Sequence, residues 1–141
     1  MENMNREILF RGKHIHAMDG NEHLNGTWVH GYLSDKDYIY DKSLEGEFLV
    51  DENTICQYTG LNDKNGKKIF EGDVVKDSAG VCGEVKFGLY AAGFSIPDTN
   101  QGFYIEFPEE SLYRKELGYW ENKAVVIGNI YDNPKLLEEV E

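Results

Sequence analysis

The chain has 141 residues, 40% of them hydrophobic and 13% aromatic, which is enough apolar material for one folded domain and too much for a disordered chain. The formal net charge is −12, with −4 on residues 1–70 and −8 on residues 71–141, so long-range Coulomb forces oppose binding to nucleic acid or anionic lipid. No apolar stretch approaches the length of a membrane helix, and the N-terminus lacks the basic and apolar regions of a signal peptide.

The two cysteines, Cys56 and Cys82, are too few for a disulfide scaffold and too far apart in sequence for a zinc knuckle. Two reduced thiols are typical of a protein that stays inside the cell. We therefore expect a cytoplasmic protein without a metal or another cofactor.

The first part of the chain predicts short strands separated by polar loops and tight turns. In chain order the strand candidates are residues 6–11, 27–33, 38–40, 47–50 and 54–58. Gly31 lies inside the second candidate and indicates a bulge or a close approach of two backbones. We interpret residues 6–58 as an N-terminal β part.

The centre of the chain predicts a hairpin at Asn65-Gly66, which stands between two apolar segments. Both residue types tolerate positive φ, as a two-residue type I′ turn requires. Later strand candidates are residues 73–76, 83–87, 102–107 and 123–131, and the strongly apolar last of these is predicted to be central in its sheet.

The end of the chain predicts a short C-terminal helix. Asn133 is a good capping residue, and Pro134 suits the first helical position. Leu136, Leu137 and Val140 supply an apolar stripe for packing.

A glycine-aspartate turn at Gly72-Asp73 enters one strand, and a partner strand follows after a short loop. This arrangement is typical of small SH3-like barrels, although such an analogy implies no function. We predict a mainly β fold over residues 1–141, with an N-terminal β extension (6–58), then an SH3-like small barrel and the C-terminal helix (59–141).

Several segments together resemble the YopX family, small proteins of phages and prophages in Gram-positive bacteria. The matching segments are residues 6–13 (REILFRGK), 28–32 (WVHGY), 57–61 (QYTGL), 63–73 (DKNGKKIFEGD) and 126–134 (VIGNIYDNP). The resemblance implies a mainly β fold with an SH3-like barrel. It implies no established biochemical role and no catalytic or binding residue. Residues 15–26 and 88–117 match nothing in the family, so a partner-specific surface is expected there.

The basic cluster at the hairpin, Lys64, Lys67 and Lys68, is the candidate contact surface. Such a cluster can contact phosphate or an acidic partner, but turn lysines more often keep a hairpin soluble and unpaired.

Three other patterns have simpler explanations than the site each suggests. The histidines suggest a metal site but suit exposed loops, and two sets of acidic residues suggest calcium or magnesium sites but suit a solvated face and tight turns. Five aromatic residues suggest a base-stacking platform but suit a core. The histidines are His14, His16, His23 and His30. The acidic residues are Asp35, Asp37, Asp41, Glu45 and Glu47 for calcium, and Asp63, Glu71 and Asp73 for magnesium. The aromatic residues are Trp28, Phe87, Tyr104, Phe107 and Trp120.

We therefore expect a phage or prophage accessory protein that is not an enzyme and that binds a phage or host protein. Self-association is an open alternative, because edge strands of a small β domain need cover. Two further alternatives are nucleic-acid binding through the lysine hairpin, against the net charge, and an acidic decoy that imitates DNA.

Overall fold

The computed structural model describes residues 8–15, 26–91, 99–108 and 115–137. The chain divides into two compact units, residues 1–60 (unit 1) and residues 61–141 (unit 2). Both are built mainly from antiparallel strands, which confirms the mainly β prediction.

Unit 1 contains an antiparallel sheet in the order β4-β3-β2-β1-β5, so that β4 lies at one edge. The strand β5 continues past the unit boundary into unit 2. A single turn of 3-10 helix, Glu52–Thr54, precedes β5. The strands are β1 (Phe10–Lys13), β2 (Trp28–Asp35), β3 (Tyr38–Asp41), β4 (Gly46–Leu49) and β5 (Cys56–Asn62).

The inner face of this sheet carries a small core. Val29, Ile39 and Val50 are at most 1% exposed, and each contributes about 1.5–3 kcal/mol by its burial. Gly31 lies between β1 and β3, where a Cβ atom would overlap the carbonyl oxygen of Tyr40. The close backbone approach predicted at Gly31 is therefore confirmed, and a larger residue would push β2 and β3 apart.

Unit 2 contains a four-stranded antiparallel sheet in the order β10-β7-β8-β9, and β6 forms a hairpin with the end of β5. Ile69, Val75, Val85 and Ile105 are at most 1% exposed at the centre of its core, and Trp120 packs against them. The elements are β6 (Lys68–Phe70), β7 (Asp73–Lys76), β8 (Cys82–Ala91), β9 (Thr99–Glu106), α1 (Leu117–Trp120) and β10 (Val125–Asn129).

The β5–β6 hairpin turns through three residues, 64–66. Asp63 N donates to the Lys67 carbonyl at 2.8 Å, Gly66 N donates to the Asp63 carbonyl at 3.0 Å, and Gly66 has a φ of 84°. The predicted type I′ turn is wrong, because that turn needs positive φ at both central residues and Asn65 does not have it. The Asp63 carboxylate selects the longer loop by accepting from Asn65 N and Lys67 N, both at 2.8 Å.

The β7–β8 hairpin repeats the same turn around Asp77. Asp77 N donates to the Val81 carbonyl at 3.0 Å, Gly80 N donates to the Asp77 carbonyl at 3.1 Å, and Gly80 has a φ of 90°. The Asp77 carboxylate accepts from Ala79 N and Val81 N, both at 2.9 Å. The pattern Asp-x-x-Gly therefore forms one turn geometry twice in unit 2.

The strand β10 lies at the edge of its sheet, so the prediction of a central strand is wrong. The tip of the β5–β6 hairpin covers that edge instead of another strand. Val126 N donates to Asp63 Oδ2 at 2.9 Å, and Lys64 N donates to the Ala124 carbonyl at 2.9 Å. An edge strand that is protected in this way can be as apolar as a central strand without pairing with a strand of another molecule.

The helix predicted from Asn133 is wrong for residues 134–137, which form turns, and residues 138–141 lie outside the described residues. Asn133 does not cap a helix, because its Oδ1 accepts from Asn129 N at 3.2 Å and closes the end of β10. In the described part of the chain the α-helix is α1, one short turn.

The strands of unit 2 do not close into a barrel within the described residues, and the four-stranded sheet is open. The SH3-like barrel therefore stays a prediction.

Candidate interaction surfaces

The lysine hairpin is the surface that the sequence predicts. The structure brings Lys64 and Lys67 together as exposed side chains at the tip, whereas Lys68 is half-buried as the first residue of β6. The turn beneath them contains the Asp63 carboxylate, which is 1% exposed. A compact basic tip therefore stands over one buried negative charge.

A shallow groove of about 420 Å³ lies beside this tip and is lined in part by Lys64, Ser78 and Asn122. A second lysine, Lys123, also lines it, and its Nζ donates to the Tyr119 carbonyl at 2.9 Å while lying 4.7 Å from the centre of the Tyr119 ring. Two lysines, Lys64 and Lys123, therefore line this groove together with Asp77.

One exposed aromatic surface among the described residues of unit 1 was not predicted from the sequence. Tyr32 is 63% exposed, and Tyr38 and Tyr40 are each 38% exposed. Tyr32 on β2 lies opposite Tyr40 on β3, and Tyr40 lies opposite Glu47 on β4. Because opposed residues share a face of a sheet, Tyr32, Tyr40 and Glu47 form one row, and Tyr38 adds to the same face two residues from Tyr40. We call these four residues the tyrosine face.

A groove of about 540 Å³ runs beside the tyrosine face and is lined by His30, Tyr32 and Tyr40 together with the end of β3 and the turn after it, residues 41–43. Asp41, the last residue of β3, is 5% exposed. Its carboxylate accepts from the Ser43 hydroxyl at 2.6 Å and from His30 N at 2.9 Å. These bonds hold the groove wall rigid.

The charges in this groove are set by burial and by hydrogen bonds. Burial raises the pKa of Asp41, but the hydrogen bonds from Ser43 and His30 outweigh burial, so that the pKa lies below its ordinary value and the group stays ionised. Burial and the nearby Arg11 charge lower the pKa of His30, against the opposing effect of Asp41. The lowered pKa favours the neutral form of His30.

Serine, aspartate and histidine meet here, but not as a catalytic triad. The Ser43 hydroxyl donates to the Asp41 carboxylate itself, and Asp41 accepts from the backbone of His30. In a triad the serine gives its proton to the histidine ring, which the aspartate orients. The arrangement is that of a hydrogen-bonded turn.

A third surface lies at the far end of the β8–β9 hairpin. The row of residues that starts with buried Val85 and Ile105 continues outward to Phe87, which is 52% exposed, and Leu89, which is 69% exposed. Phe103 lies opposite Phe87, with ring centres 5.0 Å apart. We call Phe87, Leu89 and Phe103 the apolar arm face.

The aromatic residues that suggested a stacking platform do not form one surface. Trp120 and Phe107 belong to the core of unit 2, as their alternative explanation requires. Phe87 and Tyr104 lie on opposite faces of the β8–β9 hairpin, since they occupy neighbouring rows of its register. Trp28 lies in unit 1, half-buried beneath the Arg11 guanidinium at 4.6 Å.

The structure separates the two described histidines. His14 is buried, with Nδ1 2.9 Å from the Leu49 carbonyl, and it lies on the inner face. His30 lies opposite Arg11, on the outer face. His16 and His23 lie outside the described residues.

The acidic sets also have structural explanations. In the set that suggested calcium, Asp35, Glu45 and Glu47 are exposed, but Asp41 is buried in its turn. In the set that suggested magnesium, Asp63 and Asp73 accept backbone N–H groups, Asp73 from Phe70 at 2.8 Å. Among the described residues, no three His, Cys, Asp or Glu side chains are placed to hold a metal ion together.

None of the helices that the structure describes has the length and apolarity to cross a bilayer.

Comparison with known proteins identifies the family to which the chain belongs. No curated protein matches the chain. The family model described as YopX protein matches residues 10–138, which is most of the chain and includes the lysine hairpin, the tyrosine face and the apolar arm face. The chain therefore belongs to the YopX family.

Proposed function

We propose that this protein is a phage or prophage accessory protein that works in the cytoplasm of the host cell as a protein-interaction module and not as an enzyme. The observation that carries the proposal is the tyrosine face. Tyr32, Tyr38 and Tyr40 are exposed side by side on two neighbouring strands of unit 1.

Tyrosine is enriched in protein interfaces because its ring buries a large area and its hydroxyl still makes hydrogen bonds. The tyrosine face also has the rigidity that binding favours. Its strands are fixed by the contact of Gly31 with the Tyr40 backbone, and the adjoining turn is fixed by the Asp41 carboxylate. Little conformational entropy is lost when a partner docks on such a surface.

The experiment starts with the tagged protein in a nuclease-treated lysate of its phage-carrying host, to identify a protein partner. The partner is then purified, and its affinity is measured for the wild type and for the double variant Tyr32→Ser, Tyr40→Ser. Leu89→Ser on the apolar arm face is the matched control, since it removes an exposed apolar side chain of unit 2. We expect the double variant to lose binding and Leu89→Ser to retain it. If Leu89→Ser loses binding and the double variant retains it, the contact lies in unit 2. Unchanged binding by both variants would show that the tyrosine face is not the contact surface.

Nucleic-acid binding is the second candidate, because Lys64 and Lys67 are both exposed at one hairpin tip. Gel-shift and fluorescence titrations at several salt concentrations test it. If the hairpin binds DNA or RNA, the double variant Lys64→Gln, Lys67→Gln lowers the affinity and flattens its salt dependence. An acidic decoy would instead compete with DNA for a host protein, and the net charge of −12 supports this alternative.

We also propose that unit 2 is an SH3-like barrel. The open sheet β10-β7-β8-β9 and the adjacent β5–β6 hairpin support the proposal. An experimental structure that includes residues 92–98 and 109–114 tests it directly.

A further inference from the structure

We infer that the tyrosine face recognises a basic segment of a partner protein, with an arginine or lysine side chain lying over the row Tyr32, Tyr40 and Glu47. This inference rests on the proposed function, because it names the partner chemistry of the same surface.

The first argument is the composition of the row itself. Two exposed rings and one exposed carboxylate lie next to one another across three strands. A cation over a tyrosine ring is attracted by the negative face of the ring, and a neighbouring carboxylate adds a direct charge interaction. An anionic ligand would find no complementary group in this row.

The second argument is the charge of the surrounding strands. Residues 32–49 contain five acidic and two basic side chains, and the whole chain carries a net charge of −12. One of the two basic residues, Lys36, lies 3.8 Å from Glu52, and the other, Lys42, lines the groove beside Tyr32 and Tyr40. The acidic excess of these residues attracts a basic segment and repels a phosphate backbone.

The third argument is that the same sheet already contains the interaction that we infer. On the face that holds Tyr32, the buried Arg11 guanidinium lies 4.6 Å from the centre of the Trp28 ring, and Lys13 Nζ lies 5.4 Å from it. These residues occupy paired positions of β1 and β2, in line with the row that holds Tyr32. A planar guanidinium suits such stacking better than an ammonium group, so arginine is the preferred side chain.

The test is a selection of random twelve-residue peptides displayed on a carrier and captured by the purified full-length protein. We expect enrichment of peptides rich in arginine and lysine that is lost with the double variant Tyr32→Ser, Tyr40→Ser and retained with Leu89→Ser. For one enriched peptide, Glu47→Gln should weaken binding by about three- to tenfold, and added salt should weaken it further.

The outcomes separate this inference from the proposed function. Enriched peptides that depend on the tyrosines but contain no more arginine or lysine than the library would overturn the inference and support the proposed function. Basic peptides that bind equally well to the double variant would contradict both, since the contact would then lie elsewhere. Circular dichroism of each variant confirms that a loss of binding is not a loss of folding.

Discussion

The Asp63 carboxylate is expected to be the most important polar group for the stability of unit 2. It is 1% exposed and accepts three backbone N–H groups, from Asn65, Lys67 and Val126, at 2.8, 2.8 and 2.9 Å. In the variant Asp63→Asn, an NH₂ group replaces one acceptor oxygen and meets a backbone N–H. A hydrogen bond to a charged group contributes about 1.5–3 kcal/mol, and a buried donor left without its acceptor costs about as much. We expect a loss of about 2–4 kcal/mol, a large share of the roughly 5–15 kcal/mol that stabilises a typical domain.

Asp77→Asn is the matched control, because Asp77 forms the same turn. Only one of its oxygens is required there, since Ala79 N and Val81 N both donate to Oδ1. The amide that this substitution introduces can place its oxygen at that position and direct its NH₂ group outward, so we expect a cost of about 1 kcal/mol or less. The difference between the two variants reflects the hydrogen bond from Val126 N to Asp63 together with the deeper burial of Asp63.

Urea denaturation followed by tryptophan fluorescence measures both losses. The chain has two tryptophans, one in each unit, so a Trp28→Phe background leaves Trp120 in the core of unit 2 as the reporter. Equal losses for Asp63→Asn and Asp77→Asn would refute the reasoning, because the bond to β10 would then contribute nothing.

Three further predictions concern single residues. Gly31→Ala should lower stability by about 1–3 kcal/mol in thermal denaturation, because the new Cβ overlaps the Tyr40 carbonyl, and an unchanged melting temperature would contradict the close approach. Burial raises the pKa of Glu84, and the Glu106 charge opposite raises it further against the effect of Lys86, so stability falls as the pH rises through this pKa. Glu84→Gln should therefore stabilise the protein at pH 7 by less than about 1 kcal/mol and have no effect at about pH 3, and an effect of equal size at both pH values would exclude this cause. The pKa of His30 is lowered from 6.5, so its contribution to stability is complete above pH 6.5 and is lost as the pH falls through the lowered pKa. His30→Asn should remove this part of the pH dependence of urea unfolding. An unchanged pH dependence in the variant would refute this prediction.

The sequence predicts the strands well, because period-two alternation of apolar residues is a local signal. Val85 and Phe87 share one face of β8, as the alternation predicts. In β3, buried Ile39 stands between two exposed tyrosines, which is the same alternation. Glycine at position 31 is also informative from the sequence alone, since a glycine inside a strand indicates either a bulge or a close approach.

Two of the errors have different sources. The turn type at Asp63 is set locally, because its carboxylate accepts from Asn65 N and Lys67 N, and the Asn65-Gly66 pair alone does not show this. The apolar strand β10 can lie at an edge because Asp63 also accepts from Val126 N, 63 residues away, and no local pattern contains that partner.

The tyrosine face was missed for another reason. Alternation predicts that Tyr38 and Tyr40 share a face, but it does not say whether that face is covered. Only the order of the strands, with β2 beside β3, shows that Tyr32 joins them. The alternating tyrosines around Ile39 are the signal that would have suggested an exposed aromatic row.

The two cysteines lie in different units, so the unmodified chain can report its own local opening. Cys56 in unit 1 is 1% exposed, and its thiol donates to the Thr54 carbonyl at 3.3 Å, whereas Cys82 in unit 2 is half-buried at the start of β8. A thiol reagent should therefore modify Cys82 in the native protein and reach Cys56 only when unit 1 opens. Mass spectrometry of a labelling time course would resolve the two sites and give the opening free energy of unit 1 without any introduced probe.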